Sequence, residues 1–182
     1  MTASEIKQVL DKVKNDITFY SFALLALNTG ARGRSVMNIK KSDIKEDGRV
    51  TIKDFKNNST YNGFLSEEVI LLLKLNDLDS NSYVVSRENR ENKESDYTEL
   101  TKYFQKNIFH DLFNKNLAEH DIKNRVVVHT FRHTFGSQLA NNDTDVYVIK
   151  ELMNHSDIKS TIRYAKLRDE TLRQKAIQLN FS

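Results

Sequence analysis

The sequence predicts a mainly helical α+β domain carrying one small antiparallel sheet. Three observations support this. Apolar residues recur every three or four positions over most of the chain, strict alternation is confined to a stretch near residues 50–65, and proline is absent from all 182 residues. No internal repeat, proline-rich linker or low-complexity tract divides the chain, so residues 1–182 are expected to form a single domain.

A first helix is expected from Ser4, with Ile6, Val9, Leu10 and Val13 on one face. A second covers about residues 16–28, where Ile17, Tyr20, Leu24 and Leu27 form a stripe and Gly30 stands where a left-handed terminator belongs. Residues 35–40 read as a helical turn closed before Ser42-Asp43. Residues 50–55 and 61–65 alternate around the turn-forming Asn57-Asn58-Ser59, which predicts a hairpin, and residues 82–85 offer a third strand. Between these, Ser66 caps a helix through Leu75. Residues 87–96 are polar and charge-rich, the composition of an exposed loop.

From residue 98 to 117, Leu100, Phe104, Ile108, Phe109, Leu112 and Phe113 outline a buried helical face. Val126-Val127-Val128 leads into a helix beginning near His129. Thr144 is expected to cap the next, running through Met153, and Ser156 a third carrying Ile158, Ile162 and Tyr164. A last helix over residues 169–179 shows Leu172, Ala176 and Leu179 on one side.

Composition excludes several classes. There are no cysteines, so neither a disulfide scaffold nor a thiolate zinc site is available. No apolar run is long enough to span a bilayer, and the N-terminus lacks the pattern of a signal peptide, so a cytoplasmic location is the simplest expectation. The net charge of +3 is modest but unevenly spread. Residues 1–56 hold 11 Lys and Arg against 7 Asp and Glu, residues 57–99 hold 4 against 9, and residues 100–182 hold 13 against 9. Two basic segments around an acidic middle suit a protein with one face toward a polyanion, although ordinary solvated surface gives the same count.

Chemistry gathers in a few residues. His129 and Arg132 are three apart, so at the start of a helix both side chains leave one face. An imidazole and a guanidinium with no carboxylate nearby are suited to an anion, and phosphate matches the planar guanidinium fork. Arg32 follows the end of the second helix in a tight turn, and His155 lies between two helices. Tyr164 is one of seven tyrosines, and a phenol titrates near a pKa of about 10, so a nucleophilic Tyr needs cations or a base beside it. Arg32, Arg132, His129 and His155 are the residues that could supply them. Each alone reads equally well as surface or packing.

Taken in order, these residues resemble the tyrosine recombinase or phage integrase family. Thr29-Gly30-Ala31-Arg32 with Ser42-Asp43-Ile44 is similar to its first box. His129-Thr130-Phe131-Arg132-His133 resembles its HxxRH box, and Leu152-Met153-Asn154-His155 followed by Tyr164 resembles its last. The resemblance implies the tyrosine recombinase catalytic-domain fold and a role for each residue. Arg32 and Arg132 would hold the oxygens of a scissile phosphate, His155 would donate to it, His129 would assist proton transfer, and Tyr164 would attack phosphorus. A hairpin lysine would protonate the leaving 5′-oxygen. Lys56 fits that role by its offset from Leu65-Ser66, with Lys53 as the fallback.

The family commonly has an acidic residue three after the first Arg, where this chain has Ser35, and a glycine before the last-box His, where it has Asn154. The return strand of the hairpin, Tyr61-Asn62-Gly63-Phe64-Leu65, also lacks the usual basic and proline residues. The implied reaction is metal-free strand cleavage and rejoining through a 3′-phosphotyrosyl link, with no cofactor. The implied partner is double-stranded DNA at a specific recombination site, bound by a tetramer, with the isolated domain a monomer. No counterpart of the family's N-terminal core-binding domain is recognisable, so that domain is expected to be absent. The competing readings are a type IB topoisomerase-like enzyme, a non-catalytic DNA-binding protein and a metal-dependent nuclease. The last would need a convergent set of carboxylates, which the spacing does not offer.

Overall fold

The computed structural model describes residues 1–85, 94–118 and 120–165. Helix α1 (Ala3–Val13) opens with a capping box, in which Thr2 Oγ1 accepts from the Glu5 amide and the Glu5 carboxylate accepts from the Thr2 amide. Helix α2 (Ile17–Thr29) starts at Asp16, whose carboxylate accepts from the Thr18 and Phe19 amides, and stops where Gly30 turns left-handed at φ 61°. Phe22, Ala23, Leu24, Leu25 and Ala26 are all buried, so α2 is a central helix and not a surface one. The helical turn expected at 35–40 forms two residues earlier as α3 (Gly33–Met37), because the extended backbone of Arg32 already starts it. A separate 3₁₀ turn follows at Lys41–Asp43.

The expected hairpin is present. Strand β1 (Arg49–Asp54) pairs antiparallel with β2 (Ser59–Phe64), from Arg49 opposite Phe64 to Asp54 opposite Ser59. Val50, Ile52 and Asp54 of β1 are buried while Arg49, Lys53 and Phe55 are exposed, the period-two alternation of a half-buried strand. The third strand expected at 82–85 is reduced to one isolated bridge between Lys40 and Tyr83. Val84 and Val85 are buried, but the backbone of this segment bonds the loop around residues 39–42 and leaves the sheet two-stranded.

Helix α4 (Glu67–Leu72) is capped by Ser66 as expected but ends early, because Lys74 adopts φ 48°. The helix expected at 98–117 begins sooner, as α5 (Glu94–Tyr103), so Ser95 and Asp96 belong to it and not to a loop; residues 87–93 of that expectation lie outside the described residues. It continues as an i→i+5 winding over Phe104–Asn114. That wider turn puts residues five apart on one face, and the Phe104 and Phe109 rings lie 5.5 Å apart, packed with Phe22 and Phe131.

Helices α6 (His129–Asn141), α7 (Val146–Leu152) and α8 (Lys159–Ala165) follow. The caps of the last two differ from expectation by one residue each. Asp145, not Thr144, accepts from the Tyr147 amide, and Asp157, not Ser156, accepts from the Lys159 amide, since a carboxylate is the stronger acceptor at a helix N-terminus. The helix expected at 169–179 lies outside the described residues. The main core is shared by α1, α2, α3, the sheet, α5 and α6, while a smaller cluster of Ala140, Ile149, Met153 and Tyr164 joins α6, α7 and α8. Among the described residues no helix is long and apolar enough to cross a membrane. The fold is mainly α with a small antiparallel sheet, as the sequence predicts.

Candidate active site

The end of α2 and the second turn of α6 are forced together at Gly30. A Cβ there would meet ring atoms of Phe135 at 2.2–2.8 Å, so only glycine permits this approach, and its φ of 61° independently favours glycine. The approach places the Gly30 carbonyl against Arg132, whose Nη1 donates to it at 2.7 Å. Arg132 Nη2 donates to the Met153 carbonyl at 2.5 Å. The guanidinium is only 3% exposed and so is clamped between the turn after α2 and the turn after α7.

Arg32 lies two residues beyond Gly30, at the start of α3. Its Nη1 pairs with Asp54 Oδ2, the last residue of β1, which is 1% exposed against 24% for the Arg32 side chain. This carboxylate also accepts from Asn154 Nδ2 at 2.8 Å, Asn57 Nδ2 at 3.2 Å and the Lys56 amide at 3.0 Å. The hairpin, the first Arg and the turn before His155 therefore meet at one buried group.

The imidazoles are arranged around the guanidiniums. His129 opens α6 with its edge open to solvent, and its ring stands 4.7 Å from that of His133 in a T-shaped contact. Partial burial, then His133, Arg132 and Arg32, push the His129 imidazole down to about 4. His155 follows Asn154, which adopts φ 47°, and its Nδ1 lies 2.8 Å from Thr161 Oγ1. Burial, then Arg132 and Arg32, also hold His155 at about 4, so both rings are neutral near pH 7. His133 is shifted in the same direction by burial, Arg163 and Arg132.

Tyr164 is 4% exposed and packed in the small cluster of α6, α7 and α8. Its Oη lies 2.9 Å from His133 Nδ1. Burial raises the phenol above its usual value, while Arg132 and Arg163 pull it back down. Lys56 lies on the hairpin turn with its side chain exposed, and it joins the cluster through the hydrogen bond its backbone N–H donates to Asp54 Oδ1. Lys53 leaves the opposite face of β1 and its ammonium stands 5.3 Å from the centre of the Phe55 ring, which turns it away from Arg32.

The structure thus gathers Arg32, His129, His155 and Tyr164 around Arg132, with Lys56 at the rim. Three members receive no role from the sequence reading: Asp54, His133 and Tyr61, the last a partly buried phenol whose ionisation is influenced by Arg132. A sign of Asp54 is present in the sequence, since a carboxylate in register with Val50 and Ile52 on the inner face of a strand needs a cationic partner. His133 stands in the HxxRH box, but nothing local in the sequence marks its contact with Tyr164. Such a set can hold a tetrahedral anion between two guanidiniums and move a proton between a phenol and a neutral ring.

Comparison with known proteins identifies the family and the fold. The sequence profile described as the phage integrase family matches residues 1–171. Tyrosine recombinase XerA of Thermococcus onnurineus is 28% identical over 183 residues, an alignment that takes in 96% of this chain and 60% of that protein. The catalytic domain of bacteriophage HP1 integrase superposes with a TM-score of 0.67 at 18% identity, covering 99% of this chain and 94% of that one. XerH site-specific recombinase bound to its difH substrate superposes with a TM-score of 0.69 at 17% identity, covering 100% of this chain and 54% of that one. The chain spans 60% of the length of that XerA and 56% of a probable integrase/recombinase of Acholeplasma phage L2.

Proposed function

The chain belongs to the phage integrase family, and from that premise we propose that it is the catalytic domain of a site-specific DNA recombinase, which cuts and rejoins duplex DNA through Tyr164. The observation that carries this reading is the Arg132 guanidinium, buried and aligned by the carbonyls of Gly30 and Met153 beside the Arg32 segment. A pair of guanidiniums assembled from such distant parts of the chain is a receptor for one phosphodiester.

In this reading Arg32 and Arg132 hold the two non-bridging oxygens and stabilise the charge that grows on them in the transition state. His155 donates to the same phosphate from Nε2, its Nδ1 being occupied by Thr161 Oγ1. Tyr164 Oη attacks phosphorus and gives its proton to neutral His133, which it already contacts, with His129 beside that ring as the assisting group. The bond from phosphorus to the 5′-oxygen breaks, and Lys56 supplies the proton that the leaving oxygen takes up. The 3′-phosphotyrosyl bond conserves the energy of the broken link, so the attack of a second strand's 5′-hydroxyl reverses the step and reseals DNA. The guanidiniums and lysine balance the charge that metal ions balance in two-metal nucleases, and no cofactor enters this scheme. Binding follows mostly from phosphate contacts, and on its recombination site the whole protein acts as a tetramer.

Covalent capture tests the reading. The protein is incubated with a pool of nicked duplexes of randomised sequence, on which the cleaved fragment is lost and the adduct cannot reverse. A phosphotyrosyl peptide containing Tyr164 is the expected product, and the Tyr164→Phe protein gives none. Adducts at another residue, or undiminished adducts from Tyr164→Phe, would remove the assignment.

A further inference from the structure

We infer that Asp54 and Asn154 form a positioning pair that sets the catalytic geometry of this chain, fixing Arg32 directly and the His155 backbone indirectly; the inference rests on the recombinase reading above. The carboxylate of Asp54 is 1% exposed and its two oxygens accept from four donors: Arg32 Nη1, Asn154 Nδ2 and Asn57 Nδ2 on Oδ2, and the Lys56 amide on Oδ1. A carboxylate offers about four acceptor sites, and here three donors crowd Oδ2 while one holds Oδ1. Buried, ion-paired to Arg32 and tied to three further donors, the carboxylate holds its neighbours in place, and orientation is its chemistry.

Each donor belongs to a different part of the site. Among the described residues, Nη1 is the one nitrogen of Arg32 held by a side chain, and with the side chain 24% exposed the rest of the fork is left for a phosphate. The Lys56 amide ties the start of the hairpin turn, which carries the proposed proton donor, to the same oxygen pair. Asn154 completes the link. Its Nδ2 also donates to Ser59 Oγ at 3.0 Å and its carbonyl accepts from Asn57 Nδ2 at 3.4 Å, so the residue before His155 is stapled to both strands of the hairpin. Asn154 holds φ 47°, a conformation in which glycine is the easier occupant, and its side chain is the feature glycine could not supply.

The two places where the last and first boxes depart from the family pattern then have one explanation. Ser35 is buried at 3% exposure and carries no charge, so the carboxylate that orders Arg32 comes from β1 instead. Asn154 replaces a side-chain-free residue with one that reaches this carboxylate.

The test is single-turnover covalent capture on a duplex re-synthesised from the captured pool, with the plateau rate and the half-saturating DNA concentration measured separately for Asp54→Asn, Asn154→Gly and the double variant. Asp54→Asn is expected to lower the plateau rate by about a hundredfold with half-saturation changed by less than about threefold, the signature of lost orientation and not of lost affinity. Asn154→Gly keeps the backbone conformation and deletes only the staple, and its plateau is expected to fall by about tenfold. The double variant should be no slower than Asp54→Asn, because both changes break one linkage. Thermal melting reports folding for each protein. Should Asp54→Asn fail to fold, the Asn154→Gly plateau decides alone. Variants that fold and capture at the wild-type rate, or whose losses multiply independently, would overturn the pair while leaving the recombinase reading intact. A wild-type chain that yields no adduct on the pool would remove that reading and the pair with it.

Discussion

Adding one methyl group to Gly136 tests how tightly Tyr164 is seated. Gly136 lies inside α6, and a Cβ there would stand 2.7 Å from Cζ and 3.0 Å from Cε1 of Tyr164, and 2.8 Å from Sδ of Met153. Ordinary contact begins at 3.4 Å, so the ring must retreat by about 0.7 Å or the helix must shift. Overpacking of this kind costs about 1–3 kcal/mol. Replacing glycine by alanine within a helix returns about 1 kcal/mol, so Gly136→Ala should destabilise the wild-type protein by about 0–2 kcal/mol. In a Tyr164→Ala background the ring is gone and the flexible Met153 can move into the space, so only the helix-propensity gain remains. The same substitution should then stabilise by up to about 1 kcal/mol, a coupling of about 1–3 kcal/mol between the two positions. Urea unfolding of the four proteins measures it. Equal effects of Gly136→Ala in both backgrounds would show that the phenol is not seated against α6.

Arg32→Ala leaves the buried Asp54 carboxylate without its cation and should destabilise the fold by about 3–5 kcal/mol, most of it recovered in Arg32→Ala/Asp54→Ala; chemical denaturation of both proteins checks this. His155 is held near 4 in the folded protein by burial and then Arg132, against about 6.5 when unfolded. The unfolded chain therefore binds the extra proton between these values, and stability should fall as the pH drops from about 6.5 to about 4, less so in His155→Gln; melting curves across that range decide the sign. DNA affinity should decrease steeply with salt, with the logarithmic slope reduced by about one in Arg32→Ala if that residue contacts a phosphate. Lys56→Ala should slow cleavage of an ordinary duplex but restore it on one carrying a 5′-bridging thiolate leaving group, which needs no proton. Lys53→Ala should leave both rates unchanged.

Most helices were legible in the sequence because their apolar stripes and termini are local signals. Asp16 and Gly30 bound α2 where expected, and the hairpin formed around the Asn-rich turn. What failed was decided by competition between neighbours. Asp145 displaced Thr144 as a cap, and the loop around residues 39–42 took the hydrogen bonds that a third strand at 82–85 would have used. The helical period around Phe104 revealed a buried face but not its i→i+5 winding, which answers to ring packing between elements. For the site, residue types and order pointed to the cluster, while its supports stayed hidden. The contact of His133 with Tyr164 and the ion pair of Arg32 with Asp54 join residues 31 and 22 positions apart, distances over which no local pattern operates.

The two carbonyls that grip Arg132 lie 102 residues before it and 21 after it. A chain emerging from the ribosome has one of these anchors early and lacks the other until residue 153 is made, so the grip on Arg132 closes only when α7 is complete. For the same reason, any local opening that frees the turn after α7 should release the Arg132 guanidinium before the domain unfolds.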